Sequence, residues 1–343
     1  MELEIAVLFG TGVGGFDPPV FYPAGSQLLG LTVGDFNVDG IPDVAGVEVL
    51  SESIRVWFGD GTGGLDFQQD YTVGGQPFFA RAGDLNGDGA DDLAVADSLS
   101  ESITILLNDG SGSFSTGGQV AVGTDPMHIA ADDFNGDGNL DLATANSRSQ
   151  SISILLGRGD GSFDTAPDLP DWSPDFLAAG DWNNDQIPDL ASLNFGAGLR
   201  IYLGEGDGTF TLLNGYAAGL ASGGRLAADD LDEDGITDLA FGGTRSVTVF
   251  FGEGGGEFEA PPLLFSGANG ARRTQVTDLN GDGLNDLVTV GAGWAIGVRL
   301  GAGGGEFGSP VSYTVSCAEE QRVQDGLHGR VPFNAKRVRS CLV

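Results

Sequence analysis

Short segments of alternating polarity recur along the chain and predict β-strands. The clearest set ends in an aromatic or leucine followed by glycine or asparagine. It reads E-I-A-V-L-F-G from Glu4, S-I-R-V-W-F-G from Ser53, S-I-T-I-L-L-N from Ser102 and S-I-S-I-L-L-G from Ser151. It continues as L-R-I-Y-L-G from Leu199, S-V-T-V-F-F-G from Ser246 and A-I-G-V-R-L-G from Ala295. Around each copy lie further short apolar runs and Gly-rich turns, and helical periodicity is absent throughout. In the third copy, M-H-I-A-A-D leads into an acidic loop and L-D-L-A-T-A-N leaves it. S-I-S-I-L-L-G follows, then the turn G-R-G-D-G-S-F and a variable last strand. Each unit therefore reads as four short strands. Four-stranded units of ~40–50 residues in tandem describe a β-propeller.

The acidic loop between the first two strands fixes the phase. It reads D-F-N-V-D-G-I-P-D from Asp35, D-L-N-G-D-G-A-D-D from Asp84 and D-F-N-G-D-G-N-L-D from Asp133. It returns as D-W-N-N-D-Q-I-P-D from Asp181, D-L-D-E-D-G-I-T-D from Asp230 and D-L-N-G-D-G-L-N-D from Asp278, at steps of 48 or 49 residues. Six copies in phase identify a repeat array rather than six chance turns.

The oxygen spacing in each loop predicts calcium, a hard cation that takes about six to eight oxygen ligands. Positions 1, 3, 5 and 9 supply side chains, and position 7 supplies a backbone carbonyl. The expected ligands are Asp35, Asn37, Asp39, Ile41 and Asp43; Asp84, Asn86, Asp88, Ala90 and Asp92; Asp133, Asn135, Asp137, Asn139 and Asp141. The remaining loops give Asp181, Asn183, Asp185, Ile187 and Asp189; Asp230, Asp232, Asp234, Ile236 and Asp238; Asp278, Asn280, Asp282, Leu284 and Asp286. Up to six calcium ions are expected. Position 6 is Gly in five copies, where a sharp turn calls for positive φ. Gln186 takes that place in the fourth loop, at a cost on the order of 1 kcal/mol, so either a weaker site or a different turn is expected there. The fifth loop, with four Asp ligands, is the most charged. An EF-hand would need a bidentate Glu at position 12 and flanking helices. Position 12 here is Gly46, Val95, Thr144, Ser192, Phe241 or Thr289, which excludes that reading.

Composition narrows the setting. The 343 residues carry 15 Lys and Arg against 49 Asp and Glu, a net charge of -34. At positions 1, 3, 5 and 9 the loops hold nineteen side-chain carboxylates, three each and four in the fifth, and six calcium ions would still leave about -22. That acidity argues against nucleic acid and anionic membranes, which need a basic footprint. No apolar run reaches the ~18 residues of a membrane span, and M-E-L-E-I does not read as a signal peptide. Extracellular calcium modules bind at about 0.1–1 mM, so an extracellular or cell-surface setting is expected on chemistry.

The strand and loop counts predict an all-β, seven-bladed propeller of four-stranded antiparallel blades. Six complete blades fall near 26–74, 75–123, 124–171, 172–219, 220–268 and 269–316. Residues 1–25 would be the outer strands of a closing blade whose first two strands come from the C-terminus. Such closure removes exposed sheet edges. The tail, 317–343, is divergent: Asp325 is in phase for a seventh loop, but nothing after it fits. A closing hairpin, an unstructured tail and a docking segment all stay open, as does a Cys317–Cys341 disulfide.

The D-x-[DN]-x-D-G-x-x-D loop, followed by F-G or L-G and a G-x-G-x-F turn, resembles the FG-GAP and VCBS repeat family, including the propeller of integrin α subunits. The resemblance spans residues 1–316. It implies calcium in the loop joining the first two strands of each blade. It also implies partners on the opposite face, built here from Asp97–Glu101, Asn146–Gln150, Asp168–Pro174 and Ser266–Arg273.

Family membership does not fix function. The expectation is a calcium-stabilised, monomeric binding or adhesion module for a glycan or protein, within or beside a larger surface protein. The alternative is a polysaccharide lyase or dehydratase on the same scaffold. Trp172 is a candidate sugar platform or equally an interblade packing residue, and Arg272 with Arg273 could clamp an acidic sugar or pair with nearby Asp. His128, in M-H-I-A-A, reads as packed or pore-facing, His328 lies in the tail, and Lys336 is the sole Lys. Trp57, Trp182 and Trp294 read as packing. The two G-x-G-x-x-G matches at Gly10 and Gly59 lie between strands, not before a helix, so a nucleotide site is not expected. No G-x-S-x-G, CxxC or HExxH occurs.

Overall fold

The computed structural model describes all residues except 1–2, 26, 195–197, 218–224, 244–245, 260–261, 267–270, 292–294, 316–340 and 343. Every predicted third strand is present as a strand, and no helix occurs among the described residues. None is therefore long and apolar enough to cross a membrane.

Six four-stranded antiparallel sheets form the blades. Blade 1 has strands Leu28–Gly34, Asp43–Glu48, Ser53–Gly59 and Leu65–Thr72. Blade 2 has Pro77–Gly83, Asp92–Asp97, Ser102–Asn108 and Phe114–Ala121. Blade 3 has Pro126–Asp132, Asp141–Asn146, Ser151–Gly157 and a split outer strand, Phe163–Thr165 with Leu169–Pro170. Blade 4 has Phe176–Gly180, Asp189–Asn194, Gly198–Gly204 and Phe210–Tyr216. Blade 5 has Leu226–Asp229, Asp238–Gly242, Ser246–Phe250 and Leu263–Ser266. Blade 6 has Ala271–Thr277, Asp286–Gly291, Ala295–Arg299 and Val311–Thr314. First strands pack side by side from blade 1 to blade 6, so they line the axis.

Burial follows strand position. Second strands such as Asp92–Asp97 and Asp141–Asn146 are buried along their whole length, while the fourth strands of blades 1 and 2 are mostly exposed. The core is a set of layers between neighbouring blades. Ile54 and Val56 of blade 1 meet Leu93 and Val95 of blade 2, and Ile152 and Ile154 of blade 3 meet Leu190 and Tyr202 of blade 4. Each such side chain contributes about 1.5–3 kcal/mol on burial, so inter-blade packing is a main source of stability.

The expectation of seven four-stranded blades is corrected: the described residues form six. The N-terminal strands Leu3–Val7 and Val20–Gly25 do pair as an antiparallel hairpin, but among the described residues their sheet has three strands, not four. Its third member is the two-residue strand Cys341–Leu342, which runs parallel to Glu4–Ile5 rather than forming an antiparallel closing hairpin. The physical reason lies in the tail, which has no acidic loop after Asp325 to fold a first-to-second strand hairpin. The partial sheet still covers both open faces. Ile5 and Ala24 pack on Leu28 and Trp57 of blade 1, and Ala6 packs on Ile296 and Val298 of blade 6. Asp325, His328, Lys336, Trp294 and the Cys317 end of the suggested disulfide lie outside the described residues.

The structure also explains the glycine that ends most third strands. A Cβ on Gly59, Gly157 or Gly204 would lie 2.3 Å from the carbonyl oxygen of Pro42, Leu140 or Pro188, the eighth residue of the same blade's acidic loop. Only glycine admits that approach without moving backbone. Gly204→Ala should therefore lower stability by about 1–3 kcal/mol. Gly215→Ala in the same blade, whose Cβ would meet nothing closer than 3.8 Å, should leave the denaturation midpoint nearly unchanged. Equal midpoints for the two variants would contradict this account.

Candidate metal centres

Each acidic loop joins the first strand of a blade to its second, as the sequence predicts. Two of its residues take positive φ. Position 6 does so as glycine in five loops, at 80° to 89°, and as Gln186 at 69°. Position 4 does so as well, through Val38 at 55°, Gly87, Gly136, Asn184, Glu233 and Gly281. The sequence reading missed position 4, although glycine occupies it in three loops. The turn points backbone N–H groups at the first carboxylate. In all six loops the position-6 N–H donates to Oδ2 of the first Asp at 2.8–2.9 Å. Gln186 keeps this bond, so the turn survives the exchange at the cost of strain.

Position 5 is held by two further contacts. Its carboxylate accepts the position-7 N–H at 2.8–2.9 Å in every loop, from Ile41, Ala90, Asn139, Ile187, Ile236 and Leu284. Where position 3 is Asn, its amide donates to the other oxygen of position 5, as from Asn37 to Asp39 and Asn280 to Asp282, both 2.9 Å. In the fifth loop Asp232 has no such amide. Carboxylate oxygens of Asp230, Asp232 and Asp238 lie within 4.8 Å of one another there, the only such acidic group among the described residues. Three converging carboxylates suit a hard divalent cation, so this loop fits calcium most directly. The other loops offer the same positions with one charge fewer. Asp234 also belongs to the fifth loop but lies outside that triplet.

Position 9 behaves differently from an open ligand. Asp43, Asp92, Asp141, Asp189, Asp238 and Asp286 are all fully buried. One oxygen accepts the N–H of loop position 2: Phe36, Leu85, Phe134, Trp182, Leu231 or Leu279. The other accepts the N–H of a residue at or just past the end of the third strand: Gly59, Asn108, Gly157, Gly204, Gly252 or Gly301. All twelve bonds measure 2.6–3.0 Å. This Asp clasps three parts of the blade together. Burial, followed by partly offsetting backbone hydrogen bonds, pushes Asp92, Asp141 and Asp189 up to about 6 and Asp238 to about 7, with neighbouring loop carboxylates adding to the rise. A cation beside these groups would offset that cost.

The opposite ends of the blades carry the other candidates. Trp172 sits on the connection from blade 3 to blade 4 and is 66% exposed. Arg200 lies 4.1 Å from its ring centroid and donates to Asp171 at 2.9 Å. Together with Ser192, Asn194, Asn214 and Tyr216 they line a cleft of about 330 Å³. Arg200 had no place in the sequence reading. Arg273 lies on the first strand of blade 6, far from Trp172 in the ring order, and donates to the Leu29 carbonyl of blade 1 at 2.8 Å rather than to an Asp. Arg272 follows the same strand, and its side chain is outside the described residues. His128 is buried between Phe79, at 4.1 Å, and Phe176, and its Nδ1 accepts the N–H of Leu177 at 3.4 Å. Burial, then the charges of Arg225 and Arg81, holds it well below the usual imidazole range, hence neutral at pH 7. Trp57 and Trp182 are packed, each about 1% exposed.

Two substitutions separate clasp from turn. Asp141→Asn places an amide against an N–H donor and should cost about 1–3 kcal/mol in metal-free buffer, read from the denaturation midpoint. Val38→Gly removes a β-branched residue from the left-handed region and should raise stability by about 1 kcal/mol. A neutral Asp141→Asn would show that the clasp carries no weight.

The family pattern described as FG-GAP-like repeat matches residues 35–95, 84–144, 133–192 and 230–289. No curated protein matches the sequence. Among solved structures, an Agrocybe aegerita lectin that recognises non-reducing terminal N-acetylglucosamine superposes with a TM-score of 0.61 at 19% identity, covering 90% of each chain. A Lactobacillus plantarum protein gives a TM-score of 0.63 at 13% identity, over 91% of this chain and 96% of that one. Saccharomyces cerevisiae Sqt1 gives 0.60 at 11%, over 85% and 76%. At these identities the likeness is one of fold. The repeat matches, by contrast, span more than half of the sequence and take in all six acidic loops described above, so the chain belongs to the FG-GAP-like repeat family.

Proposed function

We propose that the protein is a calcium-stabilised binding propeller that takes a glycan in the cleft beside Trp172. The observation that carries this reading is an exposed indole, backed by Arg200, at the rim opposite the acidic loops. An aromatic face suits the apolar face of a sugar ring, and the Ser, Asn and Tyr groups around it can read hydroxyls. The lectin neighbour supports the reading at the level of fold, since that protein recognises a terminal sugar. A setting outside the cell or on its surface follows from the calcium requirement, because loops of this kind fill at about 0.1–1 mM.

Calcium acts here on structure. It would rest among positions 1, 3, 5, 7 and 9 and counter the charge that the buried clasp carboxylates add to each loop. At tenfold over Kd each filled site adds about 1.4 kcal/mol to folding.

Two outcomes are expected. Millimolar calcium should raise Tm by several degrees over a chelated sample, whereas coincident melts would remove calcium from the account. On a glycan array in calcium, Trp172→Ala should bind at least about tenfold more weakly to any retained sugar, with Tm unchanged. Undiminished binding by that variant would move the site elsewhere.

A further inference from the structure

One residue per blade, five positions before the first loop Asp, faces its counterparts around the axis. In blade order these are Gly30, Phe79, His128, Phe176, Arg225 and Arg273. Their contacts cross the ring. Arg225 of blade 5 stacks on Phe79 of blade 2, with 4.7 Å from guanidinium carbon to ring centroid. Phe79 stacks in turn on His128, which meets Phe176 edge-on. Gly30 has no side chain, and a Cβ there would come within 3.6 Å of an Arg225 nitrogen. Glycine in blade 1 thus leaves room at the centre for the guanidinium.

The charges in this ring are uncompensated. Among the described residues the ion pairs belong to Arg55, Arg158 and Arg200. Neither Arg225 nor Arg273 pairs with a carboxylate there, although acids outnumber bases more than threefold in the chain. Arg273 spends one nitrogen on the Leu29 carbonyl. Arg225 makes only its ring contact among the described residues. Both are half-buried, and burial, then the charge of Arg273, pulls Arg225 down to about 10, so it stays protonated at neutral pH. A guanidinium partly withdrawn from water beside a like charge is destabilised, and a ligand of opposite charge relieves that cost.

We propose that the axis holds an oxyanion site in which Arg225 and Arg273 together grip a carboxylate or sulfate group. The planar forks of arginine match two-oxygen recognition. The neutral His128 offers a further donor through Nε2, since its Nδ1 already accepts the Leu177 N–H. The site lies near the start of the first strands, away from the acidic loops that follow their ends, so an anion approaching from the rim opposite those loops avoids most of their field. It is separate from the Trp172 cleft and does not depend on the sugar reading.

Titration calorimetry in calcium buffer at fixed ionic strength tests this, with sodium sulfate in one arm and sodium glucuronate in the other. The wild type should give saturable heat with at least one of them. Sulfate alone points to an inorganic ion, and preference for glucuronate to an acidic sugar. Arg225→Gln should lose at least tenfold in affinity, and Arg225→Lys, which keeps the charge without the fork, should lose less. Arg158→Gln, at an exposed ion pair with Asp164, should bind as wild type. Absence of saturable heat in both arms, or an Arg225→Gln or Arg225→Lys variant that binds as wild type, overturns the proposal.

Discussion

The structure depends on one buried carboxylate per blade. The last Asp of each acidic loop is sealed from solvent and accepts two backbone N–H groups, one from the loop itself and one from the end of the third strand. A buried carboxylate is costly unless its oxygens are satisfied. Here both are, and the bonds are made to backbone, so they fix geometry rather than merely offset charge. The second strand, the loop and the third strand thus meet at a single side chain. The glycine that closes most third strands follows from this meeting, because its N–H must reach the carboxylate past the carbonyl of loop position 8. The same region ties blade to blade. Residues Leu85, Phe134 and Trp182, at loop position 2, present carbonyls to Gly161, Gly208 and Gly256 in the turn of the next blade. In blade 2, where Asn108 replaces the closing glycine, its side chain donates to the Phe36 carbonyl of blade 1 instead.

Ring closure uses the same devices with fewer strands. Gly14 of the N-terminal hairpin lies against Leu300 of blade 6, and Gly63 of blade 1 lies against Phe9. These repeat the contact that Gly112 makes with Phe58 and Gly208 with Leu156. The partial sheet therefore occupies the perimeter between blades 6 and 1 as a neighbour would, while Arg273 and Leu29 bridge the inner strands of those blades. Six complete blades and one incomplete sheet make a ring because the N-terminal hairpin supplies apolar side chains, Ile5, Ala6 and Ala24, to both neighbouring blades.

Much of this was legible in the sequence because the repeat states its constraints six times. The strand phase, the loop between first and second strands and the left-handed turn at the position-6 glycines all follow from spacing and residue type. The blade count is not legible from the third strands alone, because seven third-strand patterns do not make seven full sheets: a complete blade also needs the loop hairpin. The clasp role of position 9 was hidden because an Asp there satisfies a ligand pattern equally well. The signal that separates the two is the closing glycine 14 to 16 residues later, as from Asp238 to Gly252 or Asp141 to Gly157. The axial arginines left no local pattern. Arg225 meets Phe79 only because the ring brings the fifth blade across to the second. Arg200 beneath Trp172 is likewise a contact between a strand and a connection 28 residues earlier, set by blade 4's packing.

Amide hydrogen exchange on the metal-free protein tests the central claim most directly. If the buried Asp holds each blade on its own, the amides of Phe134, Gly157, Trp182 and Gly204 exchange as slowly as the second strands. The amides at loop positions 4 to 6 exchange faster in the same sample. Clasp amides that exchange as fast as those loop positions, and slow only when calcium is added, would contradict it and make the metal, not the carboxylate, the element that holds the blade.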